Sequence, residues 1–141
     1  MSDYSFDEID DLARNRDIEG KIGTRIDFPR DRWIQVLAAT DANPKWVARR
    51  KIIAEGTRRL ANAEANDGRY RAFIVPHIAE ALCIGWGGWK VDGVEIAFST
   101  EACKALLLKA DDVYAAVAQV MYDDKKFRGD RIEVLTKEAG E

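Results

Sequence analysis

The chain has one histidine, His77, and Glu80 stands three residues beyond it. On a helix these positions are neighbours, so the carboxylate could orient the imidazole as a general base requires. A base also needs a nucleophile to act on, and the pattern around His77 is apolar: Phe73, Ile74, Ile78 and Leu82. The plainer reading is a partly buried histidine hydrogen-bonded to its surroundings. Cys83 and Cys103 lie twenty positions apart in apolar stretches, with no CxxC pair, and one histidine cannot complete a four-ligand zinc set. They read as small buried hydrophobes, reduced in a cytosolic chain.

Gly85-Trp86-Gly87-Gly88 has the glycines of a phosphate loop but not its order. A P-loop runs from strand to helix and ends in Lys-Ser or Lys-Thr; here a helix is expected before the glycines and a hairpin after them. The acidic clusters Asp7/Glu8/Asp10/Asp11, Asp111/Asp112 and Asp123/Asp124 lack the alternating oxygen ligands, central glycine and terminal glutamate of a calcium loop. They read as helix starts and solvated faces, so neither a metal nor a cofactor is expected.

Charge is unevenly distributed. Residues 1–19 hold seven acids and two bases, whereas residues 45–59 hold Lys45, Arg49, Arg50, Lys51, Arg58 and Arg59 against Glu55 alone. The two segments could meet in the fold, or each could meet a partner. Arg49, Arg50 and their neighbours could grip phosphates with Trp46 stacking on bases, which makes residues 45–59 the one nucleic-acid candidate. An overall pI near 5.3 argues against it. Trp46 also shares an apolar stripe with Ile53 and Leu60. Trp86 and Trp89, beside three glycines, are either core lids or interface anchors.

Several elements must position these residues. Ser5-Phe6-Asp7-Glu8 is a capping box, and Phe6, Ile9, Leu12 and Ala13 continue a short amphipathic helix to residue 19 or so. Ile22, Thr24, Ile26 and Phe28 alternate with polar residues, Pro29-Arg30-Asp31 is a turn, and residues 33–37 form a return strand, with a short helix over 31–39 as the competitor. Asn43-Pro44 opens what should be the longest helix, running to about Asn66 and ended by Asp67-Gly68, its stripe of Trp46, Ile53 and Leu60 joined by Val47, Ile52, Gly56 and Ala63. A second helix is expected over residues 69–84, kinked or delayed by Pro76. Asp92-Gly93 between apolar residues marks a hairpin. Ser99 caps a helix to about Lys109, Asp111-Asp112 starts another, Phe127 closes the core, and the tail from 129 is charged. The fold class is α-dominated α+β: a helical domain with one or two small β-hairpins.

At 141 residues and 15.9 kDa the chain suits a single domain, 1–141, with a core large enough to need no staple. A hydrophobic share of 47% against 33% charged excludes a disordered chain, and the absence of a long apolar run argues against a membrane span. The acidic opening lacks the basic stretch of a secretion signal, so an intracellular protein is expected.

Within residues 84–127 a helix ends in a tryptophan, and Trp89-Lys90-Val91-Asp92-Gly93-Val94-Glu95-Ile96-Ala97-Phe98-Ser99-Thr100-Glu101-Ala102 follows. Then come Ala105-Leu106-Leu107-Leu108, a helix from Val113 to Tyr122, and Phe127. This order resembles the C-terminal half of tail assembly chaperones and related small tail-assembly proteins of long-tailed bacteriophages. There, a W…DG…FSxEA…LL arrangement precedes a terminal helix and an aromatic. Ala97 stands where that family more often has proline, and the acidic N-terminus, the 20–28 segment and Asn43-Pro44 are similar in outline.

The resemblance implies a non-enzymatic chaperone in the cytoplasm of the infected bacterium. It would bind the tape measure protein and keep it soluble while tail tube subunits polymerise around it. Some phages add a frameshifted longer form that recruits the tail tube protein, and family members often self-associate, so a homo-oligomer is a further expectation. The residues expected to meet the partner are Trp46, Trp86, Trp89, Phe98, Arg49 and Arg50. Alternatives are a structural virion subunit, such as a head–tail joining or tail-completion protein, and a small nucleic-acid-binding protein.

Overall fold

A computed structural model describes residues 13–61 and 66–128. The capping box at Ser5, most of the acidic head and the tail from 129 lie outside the described residues. The first described element is a wide turn at Ile18–Ile22, preceded by non-helical residues 13–15, so no helix runs unbroken from Leu12 into this turn.

Strands β1 (Thr24–Phe28) and β2 (Arg32–Val36) form the expected hairpin, pairing Thr24 with Val36 and Phe28 with Arg32. Their connection turns through two left-handed residues, Arg30 at φ 68° and Asp31 at φ 58°. On β2 the alternation works as the pattern requires, with Ile34 and Val36 wholly buried.

Helix α1 (Pro44–Val47) starts where Asn43-Pro44 predicts. The Asn43 side chain accepts from the Lys45 and Trp46 amides and donates to the Ala81 carbonyl at 3.0 Å, so both ends of this buried amide are bonded. The long helix expected from here does not form. The chain breaks at Ala48-Arg49 and resumes as α2 (Arg50–Leu60). The longest helix is instead α3 (Asn66–Ala81), which runs through both Gly68 and Pro76. Proline removes the bond to the Ala72 carbonyl, which lies on the exposed side of the helix where water can replace it.

Residues 83 and 84 do not extend this helix. They open β3 (Cys83–Gly87), which adds to β2 antiparallel and completes a three-stranded sheet in the order β1-β2-β3. The register slips between Gln35 and Val36, leaving Ile84 without a partner and 43% exposed. Glycine at 87 is a packing requirement: a Cβ there would come within 2.5 Å of the Trp33 indole nitrogen across the sheet.

The second hairpin is two residues a side, β4 (Lys90–Val91) and β5 (Val94–Glu95). Its turn is Asp92 at φ 52° and Gly93 at φ 79°, the left-handed pair that a two-residue hairpin needs. Ser99 caps α4 (Thr100–Lys109) through the Ala102 amide, and α5 (Asp111–Val120) begins on its acidic pair. A 3₁₀ turn, Asp124–Phe127, then inserts Phe127 fully into the core.

Helix α3 is the central element, packed against both α2 and α4. Its Ile74, Val75 and Ile78 join Ile34 and Val36 of the sheet, Cys103 and Leu107 of α4, and Val117 of α5 in one buried cluster. Arg71 on α3 fastens the α4–α5 corner: its guanidinium donates to the Leu107 carbonyl, pairs with Asp111 and stacks 4.7 Å from the Tyr114 ring. The result is an α-dominated α+β fold, as expected. The first hairpin has grown into a sheet, and no helix among the described residues is long and apolar enough to cross a membrane.

Candidate partner interface

Three of the aromatics expected at a partner surface are core side chains. Trp46, Trp86 and Trp89 are 4%, 9% and 8% exposed, and Phe98 is half-buried. Trp86 and Trp89 stand 6.1 Å apart between ring centres, with Phe28 against Trp89 at 5.6 Å and Phe98 edge-on to Trp86 at 5.5 Å. Each indole N–H is satisfied: Trp86 donates to the Ile96 carbonyl at 2.9 Å, Trp89 to the Trp33 carbonyl at 3.0 Å. Buried indoles with satisfied donors clamp the sheet, the small hairpin and the start of α4 to each other. What these residues leave on the surface is the hairpin tip, where Val91 and Val94 are 60% and 66% exposed.

Trp46, on α1, is buried in the same hydrophobic core as Ile53 and the two tryptophans of β3 and its exit. The stripe read into residues 46–60 holds only in part. Trp46, Ile53 and Gly56 are buried and Leu60 is half-buried, but Val47 and Ile52 point outward. Val47 and Ile52 each stand one position from a buried residue, Trp46 and Ile53, and a single step turns about 100° round a helix, away from the core.

The two arginines expected beside Trp46 part company. Arg49 is half-buried, bonding Glu80 at 3.0 Å and lying 3.2 Å from His77 Nδ1. Arg50 is exposed and borders an open hollow with Arg14, Thr40, Asp41 and Asp124.

The same contacts draw Glu80 away from His77. Its carboxylate is held by Lys104 at 2.9 Å and by Arg49, which keeps it below the usual carboxylate range. His77 lies edge-on to Phe73 at 5.3 Å, and burial followed by the nearby Arg49 charge lowers its pKa from 6.5. The Arg49–Glu80–Lys104 chain ties α2, α3 and α4 together.

Cys83 and Cys103, far apart in sequence, are both buried free thiols whose side chains meet. Their mutual hydrogen bond and burial push the Cys83 pKa well up, making it a poor nucleophile. Asp123 and Asp124 act locally, the first capping the Lys125 amide at 3.1 Å and the second pairing with Arg128.

Sequence reasoning missed the buried ion pair at the start of the described chain. Glu19, read as part of a solvated acidic head, is completely buried. Arg14 grips it in a fork at 2.9 and 2.6 Å, and Thr40 donates at 2.7 Å. The Arg14 bond, opposed by burial and helped by Thr40, lowers the Glu19 pKa. The nearest hint in the sequence was two arginines, Arg14 and Arg16, inside an otherwise acidic run.

Comparison of the chain with protein-family models finds no match, and comparison with curated proteins and with solved structures finds none either.

Proposed function

We propose that this protein is a non-enzymatic tail assembly chaperone of a long-tailed bacteriophage. It acts in the cytoplasm of the infected bacterium, where it holds the tape measure protein in a soluble, extended form until tail tube subunits enclose it. The reading is carried by the order of landmarks over residues 84–127, and each of them has a defined place in the fold. Trp86 and Trp89 are buried 6.1 Å apart with Phe98 edge-on to Trp86, Asp92-Gly93 turns the hairpin, Ser99 caps the next helix, and Leu107 and Phe127 are both fully buried.

The physical chemistry suits the role. A tape measure presents apolar helix faces before its tube surrounds it, and a helical protein can cover such faces by helix-to-groove docking. Contacts that mix exposed aliphatics with charge are salt-sensitive and displaceable, so an advancing tube could strip the chaperone away.

Quantitative mass spectrometry of infected lysate and of purified particles tests this. A chaperone is abundant in lysate and absent from finished virions. Recovery from virions in fixed proportion to the tail tube protein would replace the proposal with a structural subunit that stays in the particle.

A further inference from the structure

We propose that the solvent face of α1 and α2 is a docking surface for an acidic amphipathic helix of a partner protein. The inference does not depend on that partner being a tape measure.

Lys45, Arg50, Lys51, Arg58 and Arg59 are all exposed on these two helices, and none has an ion-pair partner among the described residues. Arg30, Arg32, Arg69, Lys90, Lys109, Lys125 and Lys126 also lack an ion pair among the described residues, but they are spread along the chain, whereas these five fall within fifteen positions of one another. Among these five stand two aliphatic side chains, Val47 at 42% and Ile52 at 55% exposure. Helical spacing puts Arg59 two turns from Ile52, and Glu55 and Arg58 one and two turns from Lys51, while Gly56 turns inward against Phe73. The solvent face therefore sets one exposed aliphatic on each helix among positive charges.

Its chemistry selects a protein over a nucleic acid. The one aromatic of the segment, Trp46, is 4% exposed and cannot stack on a base. Val47 and Ile52 would have nothing apolar to meet along a duplex. A helix with an acidic border and an apolar stripe answers each feature: its carboxylates meet the five cations, and its stripe covers Val47 and Ile52. Helix α2 has 11 residues and is about 16 Å long, so a crossing helix of three to four turns covers it.

The test is fluorescence anisotropy with the full chain and three labelled probes. The first is a helical peptide of about 18 residues with leucines at i, i+3/i+4, i+7 and glutamates on both borders. The second replaces the glutamates with lysines, and the third is a DNA duplex of about 20 base pairs. The acidic helix should bind about tenfold or more tightly than either other probe. Ile52→Ser and the double variant Arg58→Glu/Arg59→Glu should each weaken it about tenfold, the latter also reversing the preference toward the lysine helix. Val91→Ser on the distant hairpin should leave it unchanged. All of these positions are exposed, so circular dichroism melts should coincide with the parent and exclude misfolding. Equal binding of the two peptides, or acidic-helix binding indifferent to both α2 changes, overturns the proposal. DNA binding that outlasts Ile52→Ser assigns the face to nucleic acid instead. A tape measure protein that still binds the α2 variants would refute this surface and leave the tail-assembly reading standing. Acidic-helix binding with no tape measure binding would do the reverse.

Discussion

His77 shows how a residue that looks chemical becomes structural. Its imidazole lies edge-on to Phe73 with the Arg49 guanidinium at Nδ1, and burial first and the Arg49 charge second disfavour the imidazolium. Because the folded pKa lies below the ordinary 6.5, the unfolded chain takes up this proton first as pH falls. The stability His77 contributes is therefore complete above about pH 6.5 and is lost as pH drops from there toward the folded value. Thermal melts between about pH 7.5 and 5.5 should show a steeper fall in Tm for the parent than for His77→Gln, which cannot titrate. Parallel curves would contradict the assignment. Glu19 gives the sharper contrast in magnitude. Arg14→Ala strands a fully buried carboxylate with only Thr40 and should cost about 2 kcal/mol in urea melts. Arg16→Ala loses only an exposed pair with Asp41 and should change stability by less than about 0.5 kcal/mol.

At the scale of elements, what could be read from the sequence was local and what could not was long-range. The β1–β2 hairpin, the Asn43 and Ser99 caps, the Asp92-Gly93 turn and the α5 start each depend on residues within a few positions of one another. Strand β3 escapes such reading because its identity comes from β2, some fifty residues earlier, and because Gly85 and Gly87 mask it. Gly87 is glycine because the Trp33 indole covers it, a reason visible only when the two strands are side by side. Helix α3 conversely tolerates Gly68 and Pro76 because its buried Ile74, Val75 and Ile78 outweigh poor propensity. Two glycine substitutions check this view. Gly68→Ala meets nothing within 4 Å in a helix and should stabilise by about 0.5–1 kcal/mol. Gly88→Ala must hold φ +81° with its Cβ 2.4 Å from the Asp31 carbonyl oxygen, and should destabilise by about 2 kcal/mol or more. Equal effects from the two would mean that the connection after β3 is looser than described.

Over the whole molecule the proposed partner surface lies away from the core. The tryptophans that seemed fit to anchor a partner are spent on joining the sheet, hairpin and helices. Only Phe98 in part, Arg50 and the aliphatics flanking them remain available. The sequence revealed the charge of residues 45–59 but not their break at Ala48-Arg49, and Val47 and Ile52, each one step round the helix from a buried neighbour, do not join the stripe read there. A partner-binding protein built this way depends on a surface that tolerates mutation without unfolding, and a core that does not. Trp89→Ala is accordingly expected to lower Tm by several degrees, since it removes a buried indole and its bond to Trp33.

The most direct measurement is co-expression of this chain with the tape measure and tail tube proteins of its own phage, read as the soluble fraction and by co-elution. A tape measure that aggregates alone should become soluble and co-elute with the chain. A tape measure that stays insoluble beside a well-folded partner, with neither protein co-eluting, would contradict the account.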